Sequence, residues 1–418
     1  MAGLRFVLIN KIFRVLTALA LFILSLNFSA CDFLFGSRED PVVDEIFVQG
    51  NIDPNLYQNT VGYVPVLPVW SGFKNPKDIF VGYDEMVYVV DDEGLKILDL
   101  TGKLHRTIPV YKASDVIQDR RIHTYVTGKI IVNVAGQDRE LACVYHLKNT
   151  ALAGGPVWED TLIHPFCDVS RNNISFRAED TLVEFTGLAV TYDNTLYVSR
   201  KGKINDLLSS ARPDNTILIF DKDGKNISYA KGLNPLIPNL KSVLEPTAIA
   251  GFVGPPQKMY GVSTSYDFIL CQGSQTQNIE QRVLWIKQYV DPDAGTEYAE
   301  NQSLLNFDKQ KADGFLYEPG KFSFPADVYV APDQSGYIFV VDRQLNKLFQ
   351  FTSAGFEGVV PPPNSNITRN IVVSFGKEGI GLFEFKQPSG VCYYKKVIYV
   401  ADSGNNRIIR YILSTDME

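Results

Sequence analysis

Apolar and polar residues alternate along most of this chain in runs of four to six, each bounded by Gly, Asn or Asp. Val87-Tyr88-Val89-Val90-Asp91 followed by Leu95-Lys96-Ile97-Leu98-Asp99 is one such pair of runs. A period of two is that of a strand half-buried in an antiparallel sheet. The runs end in matching turns, Leu100-Thr101-Gly102-Lys103, Asp221-Lys222-Asp223-Gly224-Lys225 and Thr352-Ser353-Ala354-Gly355, where glycine supplies the positive φ of a tight hairpin. Asp221 and Asp223 are turn residues on this reading rather than a calcium loop. The expected fold class is all-β.

The runs recur in a common frame, and a repeat of this length points to a ring or solenoid. Its fullest copy is Gln387-Pro388-Ser389-Gly390-Val391, a short gap, then Val397-Ile398-Tyr399-Val400-Ala401-Asp402-Ser403-Gly404-Asn405-Asn406-Arg407-Ile408-Ile409-Arg410-Tyr411. Shorter copies begin at Pro76-Lys77-Asp78-Ile79, Thr186-Gly187-Leu188, Pro246-Thr247-Ala248-Ile249 and Pro325-Ala326-Asp327-Val328, with a degenerate one around Lys129 to His146. That makes six. Four-stranded blades arranged radially leave only short edges, and each blade buries its faces against its neighbours. A six-bladed β-propeller is therefore predicted over residues 57–418, with the extended segment Tyr63 to Trp70 supplying an outer strand of the last blade. Pro65 and Pro68 suit an edge, where no ladder donor is needed. Connecting loops are expected at about 147–184, 291–320 and 356–384.

The copy at 387–411 closely resembles the NHL repeat, in which a Pro-x-Gly-Val strand precedes a strand ending in Tyr-Val-Ala-Asp and a Ser-Gly-Asn-Asn-Arg turn. The resemblance implies that the Asp closing the second strand caps the turn after it. Some propellers related to this family are lyases or lactonase-like hydrolases that hold a metal where strands converge on the channel. Asp91, Asp342 and Asp402 stand at equivalent positions, with Arg200 in their place in the third blade. Three such acids form a candidate channel rim able to ring a calcium ion with oxygen ligands, and Arg200 either pairs with an acid or binds an anionic ligand. His105, His123, His146 and His164 share no repeat position, which weakens a three-histidine zinc site.

The first residues break the pattern. Arg5, Lys11 and Arg14 precede an apolar run from Val15 to Leu26, and Ser29-Ala30-Cys31 follows. A basic start, a short apolar run and a small-residue exit read as a secretory signal over residues 1–30, since a membrane span needs roughly 20 apolar residues. Leu26-Asn27-Phe28-Ser29-Ala30-Cys31 resembles the lipobox of bacterial lipoproteins, which implies lipidation of Cys31 and a polar tether over residues 31–56. Richness in Tyr, Phe and Asn is similar to that of Bacteroidota proteins, and on that resemblance an outer-membrane address is expected over the inner membrane.

Composition narrows the function. The formal charge of the 418-residue chain is −7, and loss of the three basic residues of the signal leaves about −10. Such a balance argues against nucleic acid. Gly-x-Ser-x-Gly, phosphate-cradling and His-Glu-x-x-His segments are missing. Cys143 and Cys167 form a candidate disulfide in an oxidising envelope compartment, while Cys271 and Cys392 lie in apolar strands as buried thiols. The sequence thus predicts a lipid-anchored envelope protein that binds or scaffolds a protein, peptide or glycan partner. A metal-dependent lyase or hydrolase with a cation near Asp91, Asp342 and Asp402 is the rival reading.

Overall fold

The structure is a computed structural model that describes residues 61–417, except 169–170, 172–175, 206–212, 232, 234–240, 276–278, 294, 306 and 364. The signal-like start, Cys31 and the tether lie outside the described residues.

Strand β1 (Tyr63–Trp70) stands outside the blade order. Blade 1 is β2 (Asp78–Val81), β3 (Val87–Asp91), β4 (Gly94–Leu98) and β5 (Leu104–Ile108). Blade 2 is β6 (Asp115–Gln118), β7 (Thr124–Val134), β8 (Gln137–Lys148) and β9 (Val157–Ile163). Blade 3 is β10 (Glu184–Val190), β11 (Leu196–Lys201), β12 (Thr216–Phe220) and β13 (Asn226–Lys231). Blade 4 is β14 (Pro246–Ala250), β15 (Phe268–Gln272), β16 (Val283–Asp291) and β17 (Gly295–Glu300). Blade 5 has β18 (Pro325–Val330), β19 (Ile338–Asp342) and β20 (Lys347–Phe351). Blade 6 has β21 (Pro388–Tyr394), β22 (Val397–Asp402) and β23 (Arg407–Leu413), and β1 completes it.

Each sheet is antiparallel, and the first strands of successive blades pack side by side around the ring, with β21 returning to β2. This is a six-bladed β-propeller. Closure comes from β1, which pairs antiparallel with β23 through Tyr63 opposite Leu413 and Pro65 opposite Tyr411. The proline-bearing strand lies on the outer edge, as the missing donors require, and Arg410 donates to the Pro68 carbonyl at 3.0 Å while lying over the Trp70 ring.

The first strands approach so closely that some positions admit no side chain. A Cβ on Gly390 would lie 2.7 Å from Asp78 Cα, and one on Gly187 would lie 2.9 Å from Ala248 Cα. Outside this ring the strands bury Val, Ile, Leu and aromatic side chains in apolar clusters that run between neighbouring blades, such as Val89, Val126 and Leu147 between blades 1 and 2. Burial of this kind supplies the main drive to fold, roughly 25 cal/mol per Å² of apolar surface.

The regions expected to be loops divide. Residues 157–163 form the outer strand of blade 2, and 295–300 form the outer strand of blade 4. Their patterns mix exposed and half-buried positions, because an outermost strand has little neighbour to cover it. Blade 5 lacks a fourth regular strand. Among the described residues its edge carries isolated bridges, Leu348 with Phe375 and Phe351 with Glu357, with Val359 and Ile371 bridged beyond them, beside the run Pro361-Pro362-Pro363, which offers no ladder donors. The turn chemistry follows expectation: Asp221 Oδ1 accepts from the N–H groups of Asp223 and Lys225 at 3.0 and 2.9 Å, with Gly224 at φ 82°.

Candidate ligand-binding site

The acids expected at a channel rim are instead sealed inside the blades. Asp91 accepts from the N–H groups of Lys74 at 3.0 Å and Glu93 at 2.8 Å, and Lys96 Nζ lies 2.9 Å away. Asp342 accepts from Ser323, Phe324, Gln344 and Leu345. Asp402 accepts from Lys386 N–H, the Asn405 amide and Arg407 Nε. All three are fully buried. Each ties the link preceding its own blade to the turn after its second strand, the capping role that the repeat resemblance implies.

Arg200 is buried too. Its guanidinium donates to the carbonyls of Asp214 and Pro213 at 2.7 and 3.1 Å and to Asp168 Oδ2 at 2.8 Å. None of these four residues borders the central cavity, because second strands stand one row behind the channel wall and their polar groups are taken by neighbouring loops.

The remaining candidates also separate. Cys143 and Cys167 are free thiols rather than the disulfide expected of an oxidising compartment, and burial pushes both up to about 12. Cys271 and Cys392 are buried thiols. His123 and His146 lie 3.0 Å apart in blade 2, whereas His164 is buried against Asp180. Among the described residues, no three His, Cys, Asp or Glu side chains come together as a metal cluster.

The channel is lined by the start of each first strand. Aligned on the repeat, the third position reads Asp78, Asp115, Gly187, Ala248, Asp327 and Gly390 around the ring. Each Asp reaches the next blade: Asp78 Oδ2 accepts from Val116 N–H at 2.9 Å, Asp115 from Leu188 N–H, and Asp327 Oδ2 from Val391 N–H at 2.7 Å. These bonds stitch blade 1 to 2, 2 to 3 and 5 to 6. Burial disfavours the charged form, so the carboxyl of Asp78 is raised to about 6. Asp115 and Asp327 are held well above the usual carboxylate range by burial and by repulsion from Asp78. Pro76-Lys77-Asp78 and Pro325-Ala326-Asp327 carried the signal for these acids, an Asp where the best repeat copy has Gly390.

On one side of this ring the channel narrows to about 40 Å3 among apolar side chains, including Ile117, Ile249, Val328 and Val330. On the other it opens into a cavity of about 350 Å3 to which all six blades contribute. Lys77, Lys112, Lys129, Lys201 and Arg343 surround this mouth, with Glu184 as its outer acid and Asp78, Asp115 and Asp327 at its floor. Ser114, Thr186, Thr247 and Ser389 add hydroxyls from the second position of the repeat. Lys129 donates to the Val183 carbonyl at 2.6 Å, and burial lowers its pKa. Arg343 is exposed to the cavity yet surrounded by protein, and desolvation lowers its pKa as well.

No family model matches the chain, and no curated protein matches it. Solved structures do. A streptogramin B lyase structure aligns at 9% identity over 84% of this chain and 98% of its own, with a TM-score of 0.42. The calcium-binding protein regucalcin from Agrobacterium tumefaciens aligns at 8% identity over 81% of this chain and 90% of its own, with a TM-score of 0.43. The PQQ-bound aldose sugar dehydrogenase from Streptomyces coelicolor aligns at 13% identity over 85% and 98%, with a TM-score of 0.41.

The chemistry open to the mouth is set by its own residues. It holds cations at its sides, acceptor oxygens at its floor and an apolar stop beneath, an arrangement that suits recognition of a small polar ligand entering from one end.

Proposed function

We propose that this chain is a binding propeller of the NHL kind, lipid-anchored in the cell envelope, that presents the cationic channel mouth to its partner. One observation carries the reading: a cavity of about 350 Å3 at one mouth of the channel, built by all six blades and within the roughly 300–1,000 Å3 of small-ligand sites. The motif at 387–411 supports the NHL assignment, and Ser29-Ala30-Cys31 supports the anchor and an outer-membrane address in a Bacteroidota-like envelope. The rival metal-dependent lyase or hydrolase, as framed on Asp91, Asp342 and Asp402, would need those acids to converge on one cation. Their oxygens instead serve three separate loops.

A photo-crosslinking amino acid tests the mouth. Placed at Lys112, on the rim, it is expected to capture a recurring envelope partner in living cells, whereas at Tyr260, on the exposed loop that leaves β14 at the narrow end, it is not. Capture at Tyr260 alone, or at neither position, would overturn the proposal. The anchor has its own measurement: Cys31→Ala is expected to move the protein from the membrane pellet to the soluble fraction or to leave an uncleaved precursor.

A further inference from the structure

Of the five cations around the mouth, three are already spent on carboxylates. Lys77 lies 2.9 Å from Asp92, Lys112 2.8 Å from Glu140 and Lys201 2.8 Å from Glu184. Lys129 and Arg343 are different. Lys129 bonds a carbonyl and meets no carboxylate at ion-pair distance among the described residues. The Arg343 guanidinium lies over the Phe324 ring, 5.8 Å away, and meets no carboxylate at ion-pair distance among the described residues. They belong to blades 2 and 5, three steps apart in a ring of six, so they face the cavity from opposite sides.

The oxygens of the mouth are arranged the other way. Thr247 spends its hydroxyl proton on the Pro325 carbonyl at 2.6 Å, so it turns lone pairs to the cavity. The carboxyls of Asp78, Asp115 and Asp327 add oxygens at the floor that can accept a hydrogen bond in either protonation state. Acceptors of this kind call for hydroxyl donors, and the two cations call for an oxyanion, which an arginine fork binds through two parallel bonds. A ligand carrying only one of these features would leave half the lining desolvated without partners.

We propose that the mouth recognises an anionic sugar, its carboxylate or phosphate held by Lys129 and Arg343 and its hydroxyls by Thr247 and the floor acids. The inference rests on the mouth being the ligand surface and adds the class of ligand.

Calorimetric titration of the detergent-solubilised full chain with glucuronate, glucose 6-phosphate and glucose tests it. At least one anionic sugar is expected to bind about tenfold or more tightly than glucose, since its bonds to the two cations are charge-assisted, and rising salt is expected to weaken it. The preference between the two anions tells carboxylate from phosphate. Arg343→Gln is expected to weaken binding about tenfold with an unchanged melting curve, since the side chain is exposed, and Lys129→Gln supplies a second, independent variant. Equal binding of glucose, failure of both anions to bind, or indifference to both substitutions would overturn the inference. If that happens while crosslinks at Lys112 persist, the mouth remains the ligand surface and only the ligand class falls.

Discussion

Two sets of aspartates occupy the same repeat and do opposite things. Asp91, Asp342 and Asp402 close second strands, and each is met by three or more donors, with Lys96 beside Asp91 and Arg407 beside Asp402. Asp78, Asp115 and Asp327 open first strands, where each meets one backbone N–H from the next blade, Asp78 and Asp327 add one from their own strand, and the nearest charges are one another. Residue type is the same in the two sets, and the first-strand acids are the less enclosed, Asp115 being half-buried. What also differs is the number of donors aimed at the carboxylate, and that decides whether burial is offset by hydrogen bonds or felt as a cost. The first set holds loops to blades, and the second borders the ligand cavity.

Removal of one member from each set should separate them. Asp402→Ala leaves the Lys386 N–H and the Arg407 Nε without their acceptor and the Arg407 charge without its carboxylate in a buried turn. Breaking a buried pair of this kind costs about 3–5 kcal/mol, read as a lower midpoint in denaturant unfolding. A loss under 1 kcal/mol would mean that the cap is dispensable and the contrast false.

The next largest effect is expected at the ring position where blade 6 has glycine. Gly390→Ala drives a Cβ to 2.7 Å from Asp78 Cα. Overpacking of this sort costs about 1–3 kcal/mol, and an unchanged melting temperature would show that the first strands can part more easily than their spacing implies.

The smallest effect has the opposite sign. The folded-state pKa of Asp78, about 6, lies above the value near 3.9 of an unfolded Asp, so the folded state holds the proton more tightly. Its contribution to stability is complete below about pH 4 and is lost as the pH rises through about 6. Asp78→Asn keeps a neutral acceptor for Val116 at every pH, so it is expected to be more stable than the parent by about 1–2 kcal/mol above pH 7 and equal to it near pH 4. Melting temperatures across pH 4–8 give the answer, and a variant less stable at pH 8 would place a donor or cation beside Asp78 that the comparison leaves out.

How much of this was legible in the sequence varies from blade to blade. Blade 6 declared itself, because its turn needs a residue tolerant of positive φ and Asn406, at φ 55°, fills it. Blade 2 was visible only as a degenerate copy. Its first strand opens with Ala113-Ser114-Asp115 in place of a proline, and β7 and β8 outgrow the usual strand length, so the frame is blurred. The outer strands β9 and β17 were taken for loops since one face has nothing to cover it, and their alternation is correspondingly weak.

The candidate site was misplaced by one strand. Asp91, Asp342 and Asp402 drew attention through their regular spacing, which reflects a repeated capping task. The acids at the cavity were interrupted around the ring by Gly187, Ala248 and Gly390 and so did not read as a series.

Local pattern determined by itself the inner strands and their hairpins, because alternation and turn chemistry act over a few residues, while the repeat frame and its resemblance gave the six blades and the closing role of Tyr63 to Trp70. Which polar residues meet in the channel was decided only by the tertiary structure. Asp78 finds its donor 38 residues away and Asp327 finds its own 64 residues away, in neighbouring blades. In a blade packed on both faces, period-two alternation says that a side chain is buried but not against what. That is settled when six first strands close into a ring, and the mouth with Lys129 and Arg343 facing it exists only there.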